Sequence, residues 1–158
     1  MKATPPEIEK YLKDLKETPR QLSILTKGVD TVRLQARPDK KSWSANDILA
    51  HLRSCADIWA HSIYAMLAEN APVPPDINER KWAKTTGYAV VPFPESFQAF
   101  SLQRENLLRV LKDLPFESWE RSAIIFGRKH TVFTQARRLA KHESEHIEQI
   151  ESLLRSAA

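Results

Sequence analysis

His142 and His146 stand four residues apart in the run His142-Glu143-Ser144-Glu145-His146, a spacing that puts two imidazoles one above the other on a helix face. Two such rings can grip a single divalent ion. Counted at about 100° per residue, Leu139, Ile150 and Leu153 fall within about 40° of His146, which places this histidine inside the apolar stripe and His142 at its edge. The same count puts Cys55 and Ile58 within about 40° of His51, at the edge of another buried face. An inward imidazole needs a partner, because burying an unpaired polar ring is costly. Each ring taken singly also fits a core histidine satisfied by backbone or by a carboxylate. Three together favour a metal site held by His51, His142 and His146. His61 lies about 80° off the buried face and His130 falls in a connection, so neither joins the set.

Three neutral imidazoles leave a divalent ion with one or more open positions, the pattern of catalytic rather than structural sites. Such an ion lowers the pKa of bound water or holds a thiol as thiolate. Histidine-only ligation suits zinc, nickel, iron or cobalt without selecting among them. The stretch 142–146 also fits H-E-x-x-H, in which the glutamate of zinc proteases is the general base. The rest of that pattern is missing: Ile147-Glu148-Gln149-Ile150-Glu151-Ser152 supplies neither the downstream glycine nor the third histidine, and 12 residues after His146 leave no room for a further ligand helix. Glu143 remains the catalytic candidate, as general base or as a partner orienting a ligand; its alternative is a solvated helix glutamate.

These side chains need helices to position them. Three glycines and ten prolines, the prolines bunched between periodic stretches, predict long helices with proline-marked connections. A first helix runs from Pro5 to about Lys27 on Ile8, Leu12, Leu15, Leu22 and Leu25, with Thr18-Pro19 expected to kink or interrupt it and Gly28 to end it. Ser44 and Asp47 form a capping-box signature for a second, from Ala45 to about Glu69. Ala71 to Phe93 has no sustained period and reads as a long, partly ordered loop across the bundle. A third helix opens at Pro94-Glu95 and ends by Leu114, before Pro115. Ser122–Phe126 and Lys129–Val132 flank Gly127-Arg128 as a short hairpin, and a last helix runs from Thr131 to Ser156. The expected fold is all-α, a four-helix bundle forming one domain over residues 1–158.

Composition narrows the function classes. The chain carries 24 basic and 20 acidic residues, a net charge of +4 and a pI near 9.3. Its basic clusters alternate with acids, Glu143, Glu145, Glu148 and Glu151 following Arg137-Arg138 on one helix, which argues against a nucleic-acid interface. No apolar run approaches the roughly 18 residues of a membrane span, and Met1-Lys2-Ala3-Thr4-Pro5-Pro6 has no secretory h-region, so a cytoplasmic protein without membrane contact is expected. One cysteine, Cys55, permits no intramolecular disulfide.

Trp43-Ser44-Ala45-Asn46-Asp47-Ile48-Leu49-Ala50-His51-Leu52 matches W-S-x-x-x-x-L-x-H-L, and His142 to Ile150 matches H-x-x-x-H-x-x-Q-I. In both, and in Trp82 to Tyr88, Phe100 with Arg104, and Trp119-Glu120-Arg121 ahead of Gly127, the chain resembles the DinB/YfiT-like superfamily of metal-binding four-helix bundles over nearly its whole length. The resemblance implies His51, His142 and His146 as ligands, the trio already selected by helical position. Relatives often carry a histidine shortly before the glycine matching Gly127, where this chain has Ala123, Ile124, Ile125 and Phe126. The family includes transferases that use low-molecular-weight thiols, metal-dependent hydrolases and members without an assigned reaction. The expectation is a metalloenzyme activating such a thiol cosubstrate, or water, against a small electrophilic substrate. The alternative is a non-catalytic metal- or small-ligand-binding module. Homodimer formation is expected from the resemblance alone.

Overall fold

The computed structural model describes residues 2–156. Four long helices form the body: α1 (Pro5–Thr26), α3 (Ala45–Ala68), α5 (Phe93–Leu111) and α6 (Val132–Ser156). They pack as a ring in which α1 touches α6 and α5, and α3 touches the same two from the other side. Two short helices, α2 (Thr31–Gln35) and α4 (Glu79–Thr86), and a hairpin of β1 (Ser122–Ile125) with β2 (Arg128–Thr131) fill the connections.

At Pro19, where a kink or interruption was expected, the interruption does not occur and α1 runs on as one helix. Proline lacks the N–H that would bond one turn back, but Leu15 and Leu22 on either side are fully buried, and their packing holds the helix together. The start of α3 follows the expected chemistry: Ser44 accepts from the Asp47 N–H while Asp47 accepts from Ser44 N at 2.9 Å. At the other end of α3, Arg121 donates to the carbonyls of Met66 and, at 2.6 Å, Glu69. A cation there suits the negative end of the helix dipole.

The stretch read as an irregular loop contains α4, capped by the Asn78 side chain and closed by Gly87 at φ 67°, followed by a single 3-10 turn over Tyr88–Val90. No residue of α4 is fully buried. Hydrogen bonds moor the segment instead. Asp57 of α3 accepts from Trp82 Nε1 at 3.0 Å, from Tyr88 Oη at 2.6 Å and from Gln103, and Asn46 donates to the carbonyls of Ala89 and Val91. The hairpin is present, but its turn sits one residue earlier than the expected Gly127-Arg128, on Phe126 (φ 47°) and Gly127 (φ 69°), the doubly positive pair that matches strand twist.

The core divides along the bundle axis. One apolar cluster gathers Leu15, Trp59, Ile63, Leu107, Phe133 and Leu139, and the other Leu22, Ile48, Leu52, Phe100, Ile147 and Ile150. Between the two, each long helix contributes polar side chains: Thr18 from α1, His51 from α3, Arg104 from α5, and His142, Glu143 and His146 from α6. This polar layer contains the candidate site.

Candidate metal centre

The three histidines expected from their spacing come together. His51 Nε2 lies 3.1 Å from His142 Nε2, and His146 Nε2 lies 3.2 Å from the same atom. One nitrogen from each ring falls within 4.8 Å of the others. Two turns of α6 supply two rings and one turn of α3 the third. Capping at Ser44 and a fully buried Ile48, Leu49 and Leu52 set the rotation of α3 that aims His51 at α6.

Protonation favours ligation. Burial first, then the neighbouring His146 ring and Arg80, pushes His51 down to about 4. Burial, His146, His51 and Arg138 push His142 down to about 3. Both rings are therefore neutral at pH 7. Gln149 Oε1 lies 2.8 Å from His146 Nδ1; a hydrogen bond donated there by Nδ1–H would leave Nε2 to the trio as a ligand atom. A cluster of three imidazole nitrogens contains too few protons to bond all its lone pairs, whereas a divalent cation satisfies three at once. The donor set fits a divalent ion.

Aromatic rings wall the trio. Trp43 packs on His51 and His146 with centroids at 5.1 and 6.2 Å, and Trp59 sits edge-on to His142 at 4.9 Å. Each indole carries a guanidinium on its outer side, Arg80 over Trp43 at 5.5 Å and Arg138 over Trp59 at 3.7 Å. Glu79 accepts from Trp59 Nε1 at 2.8 Å and from Arg138 at 3.4 Å, tying the first turn of α4 to the wall. Cys55 Sγ lies 3.6 Å from His51 Nε2. Burial and the nearby Glu79 push its thiol up, so it stands as a neutral thiol.

Two clefts open beside the trio. One, of about 780 Å³, reaches His146 past Lys41, Ser42, Trp43, Arg80 and Gln149. The other, of about 390 Å³, exposes His51 and His142 between Glu79, Arg138, Lys141 and Glu145. A reactant thus has access to the ring nitrogens from outside the bundle.

Glu143 is where sequence reasoning and structure part. Its side chain points away from the clefts and pairs with Arg104 of α5, the two side chains being 1% and 2% exposed. Burial pushes the carboxyl up and the guanidinium pulls it back. A rotation of about 100° from His142 to the next residue carries the side chain from the wet face of α6 to the dry one. Glu143 is thus neither a solvated glutamate nor a carboxylate facing the trio; the pair to Arg104, 39 positions away, had no local signal. Also absent from the sequence reading were Glu79 and Arg80. Asn78 followed by Glu79, with Gly87 nine residues on, is the cap-and-stop signal that would have found their helix. His61 is exposed on α3, and His130 lies on β2.

Residues 14–150 match the family model of the DinB superfamily. Among solved structures, YfiT from Bacillus subtilis, described as a probable metal-dependent hydrolase with an unusual four-helix bundle topology, superposes with a TM-score of 0.87 over 98% of this chain and 90% of that chain. A DinB-like protein from Bacillus subtilis, YjoA, superposes with a TM-score of 0.65 over 94% and 91%. Both are 16% identical to this chain, so the likeness is one of fold. No curated protein matches the sequence. With a family match spanning the first helix to the last and a four-helix body shared with YfiT, the chain belongs to the DinB superfamily.

Proposed function

We propose that this protein is a metal-dependent enzyme in which His51, His142 and His146 hold one divalent ion, whose open positions bind a low-molecular-weight thiol for transfer to a small electrophile. The observation that carries the reading is the convergence of three imidazole nitrogens within 4.8 Å beside two open clefts. When bound, the ion supplies Lewis acidity, lowering the pKa of whatever occupies its free position. The chain supplies the rest. Gln149 orients the His146 ring, burial keeps His51 and His142 unprotonated, and Trp43 and Trp59 pack against the rings as apolar walls of the two clefts.

The position of Glu143 favours a thiol over water. A metal-bound thiol is deprotonated by coordination itself, whereas attack by water usually draws on a carboxylate base, and the glutamate at that place in the H-E-x-x-H run is committed to Arg104. Hydrolysis is the second reading, supported by the description of YfiT and by the acids Glu79 and Glu145 lining the smaller cleft. Neither reading gives Glu143 contact with the reactants.

The test is to load the protein in turn with zinc, nickel, iron and cobalt and to follow a small alkylating electrophile with and without cysteine as thiol. Conjugation that requires both metal and thiol is the expected result. Metal-dependent turnover unaffected by the thiol would establish hydrolysis instead. A protein that takes up metal yet turns over no electrophile or ester would point to the binding-module alternative.

A further inference from the structure

The two clefts beside the trio differ in charge. Glu79 and Glu145 balance Arg138 and Lys141 in the smaller one. The larger is lined by Lys41, Ser42, Trp43, Arg80, Gln149 and Ser152 among its polar and aromatic residues, and by no carboxylate. This is unexpected beside the second half of α6, where Glu143, Glu145, Glu148 and Glu151 are accompanied by one basic residue, Arg155. The acids are accounted for elsewhere: Glu145 faces the smaller cleft, Glu148 lines a groove against α1, and Glu151 pairs with Arg155. Asp39, the acid nearest in sequence to Lys41, is turned back on its own loop, accepting from the N–H groups of Lys41 and Ser42 and from Ser42 Oγ. Among the described residues, neither Lys41 nor Arg80 has an ion pair.

Three separate elements place these groups: the 38–43 connection, α4 and the last turns of α6. Arg80 is further held by its stack over Trp43, the same indole that packs on His51 and His146. A preorganised guanidinium binds carboxylate or phosphoryl oxygens in a two-pronged fashion, and an ammonium beside it adds charge without geometric demand. The cleft ends at His146, so a molecule anchored here extends towards the ring nitrogens.

We infer that this cleft is an anchor for an anionic group, carboxylate or phosphoryl, on the small molecule that reacts at the histidine trio, with Arg80 and Lys41 as the residues that select it. The inference rests on the metalloenzyme reading for what happens at the trio, but the anchor itself needs no ion. Trp43 offers an apolar face to the part of the ligand between its anionic end and its reacting end.

The test uses chelator-treated protein, so that anion binding to a metal cannot stand in for the anchor. Phenylacetate and phenyl phosphate are titrated against neutral phenylacetamide by ligand-observed NMR. At least one anion binds about tenfold or more tightly than the amide, and which one identifies the group. The preference falls about tenfold in Arg80→Gln, less in Lys41→Gln, and is unchanged in Lys141→Gln of the other cleft. Equal binding of all three probes, no binding of either anion, or a preference that survives the Arg80→Gln/Lys41→Gln double variant overturns the inference. Metal uptake measured on the same preparations separates the two ideas. Anion preference in a protein that takes up no metal sinks the enzyme reading and leaves the anchor; metal uptake without the preference does the reverse.

Discussion

His142 and Glu143 are consecutive residues of one helix in one polar layer, yet their surroundings have opposite logic. The histidine shares its nitrogen with two others of its own kind, beside an open cleft. The glutamate meets a single opposite charge in a sealed interior. Opposite charges buried side by side offset one another. Groups buried among like donors remain incomplete and call for a third party. The layer therefore contains a part that serves the fold and a part whose donor set fits a metal ion, divided by one step along α6.

Substitutions on the two sides should separate these roles. The largest effect is on metal. His142→Ala removes the nitrogen that both other rings approach, and metal content measured after dialysis should fall from one ion per chain to background. The unfolding free energy of the chelator-treated variant should stay within about 1 kcal/mol of the parent, because the ring lost is only partly buried. Glu143→Ala should do the opposite. It strands the buried Arg104 charge and costs about 3–5 kcal/mol in denaturant unfolding, while the fraction that remains folded still takes up metal. The double variant Glu143→Leu/Arg104→Met, which removes both charges, should recover most of that loss. Loss of metal in Glu143→Ala at full stability would erase the distinction.

The smallest effect is on the pH dependence of stability. The folded-state pKa values of His51 and His142, about 4 and about 3, lie below the ordinary 6.5. As pH falls from 6.5, the unfolded chain binds protons that the folded chain refuses, so metal-free stability declines from pH 6.5 towards about 4 and flattens once the folded rings titrate too. In His51→Ala, urea midpoints between pH 7 and pH 5 should change less than in the parent. An equal decline in both proteins would show that His51 is not held neutral in the fold.

How much of this was legible in the sequence follows from the range of each interaction. The long helices and the existence of the hairpin depend on near neighbours, and the cap made by Ser44 with Asp47 can be read from a few positions, whereas the turn lies one residue before the Gly127-Arg128 pair expected from sequence. The trio was legible because each ring lies on or at the edge of an apolar stripe, which already gives the direction in which it points. The environment of Glu143 was not, since only the packing of α5 against α6 decides that Arg104 meets it. The α4 helix was missed for another reason: it buries no residue completely, so no apolar period marks it. The unbroken course of α1 through Pro19 likewise depends on what Leu15 and Leu22 touch.

That same α4 segment has an energetic consequence. It is moored through Asp57, Asn46 and Glu79 by directional bonds, each worth on the order of 1 kcal/mol net. Detaching it would uncover the half-buried Trp82 and Ile77 but no fully buried side chain of α4, and should therefore add less to the heat capacity than opening a long helix would. In amide exchange the covering piece should lose its protection well before the four long rods do, a door that opens on a frame that does not melt.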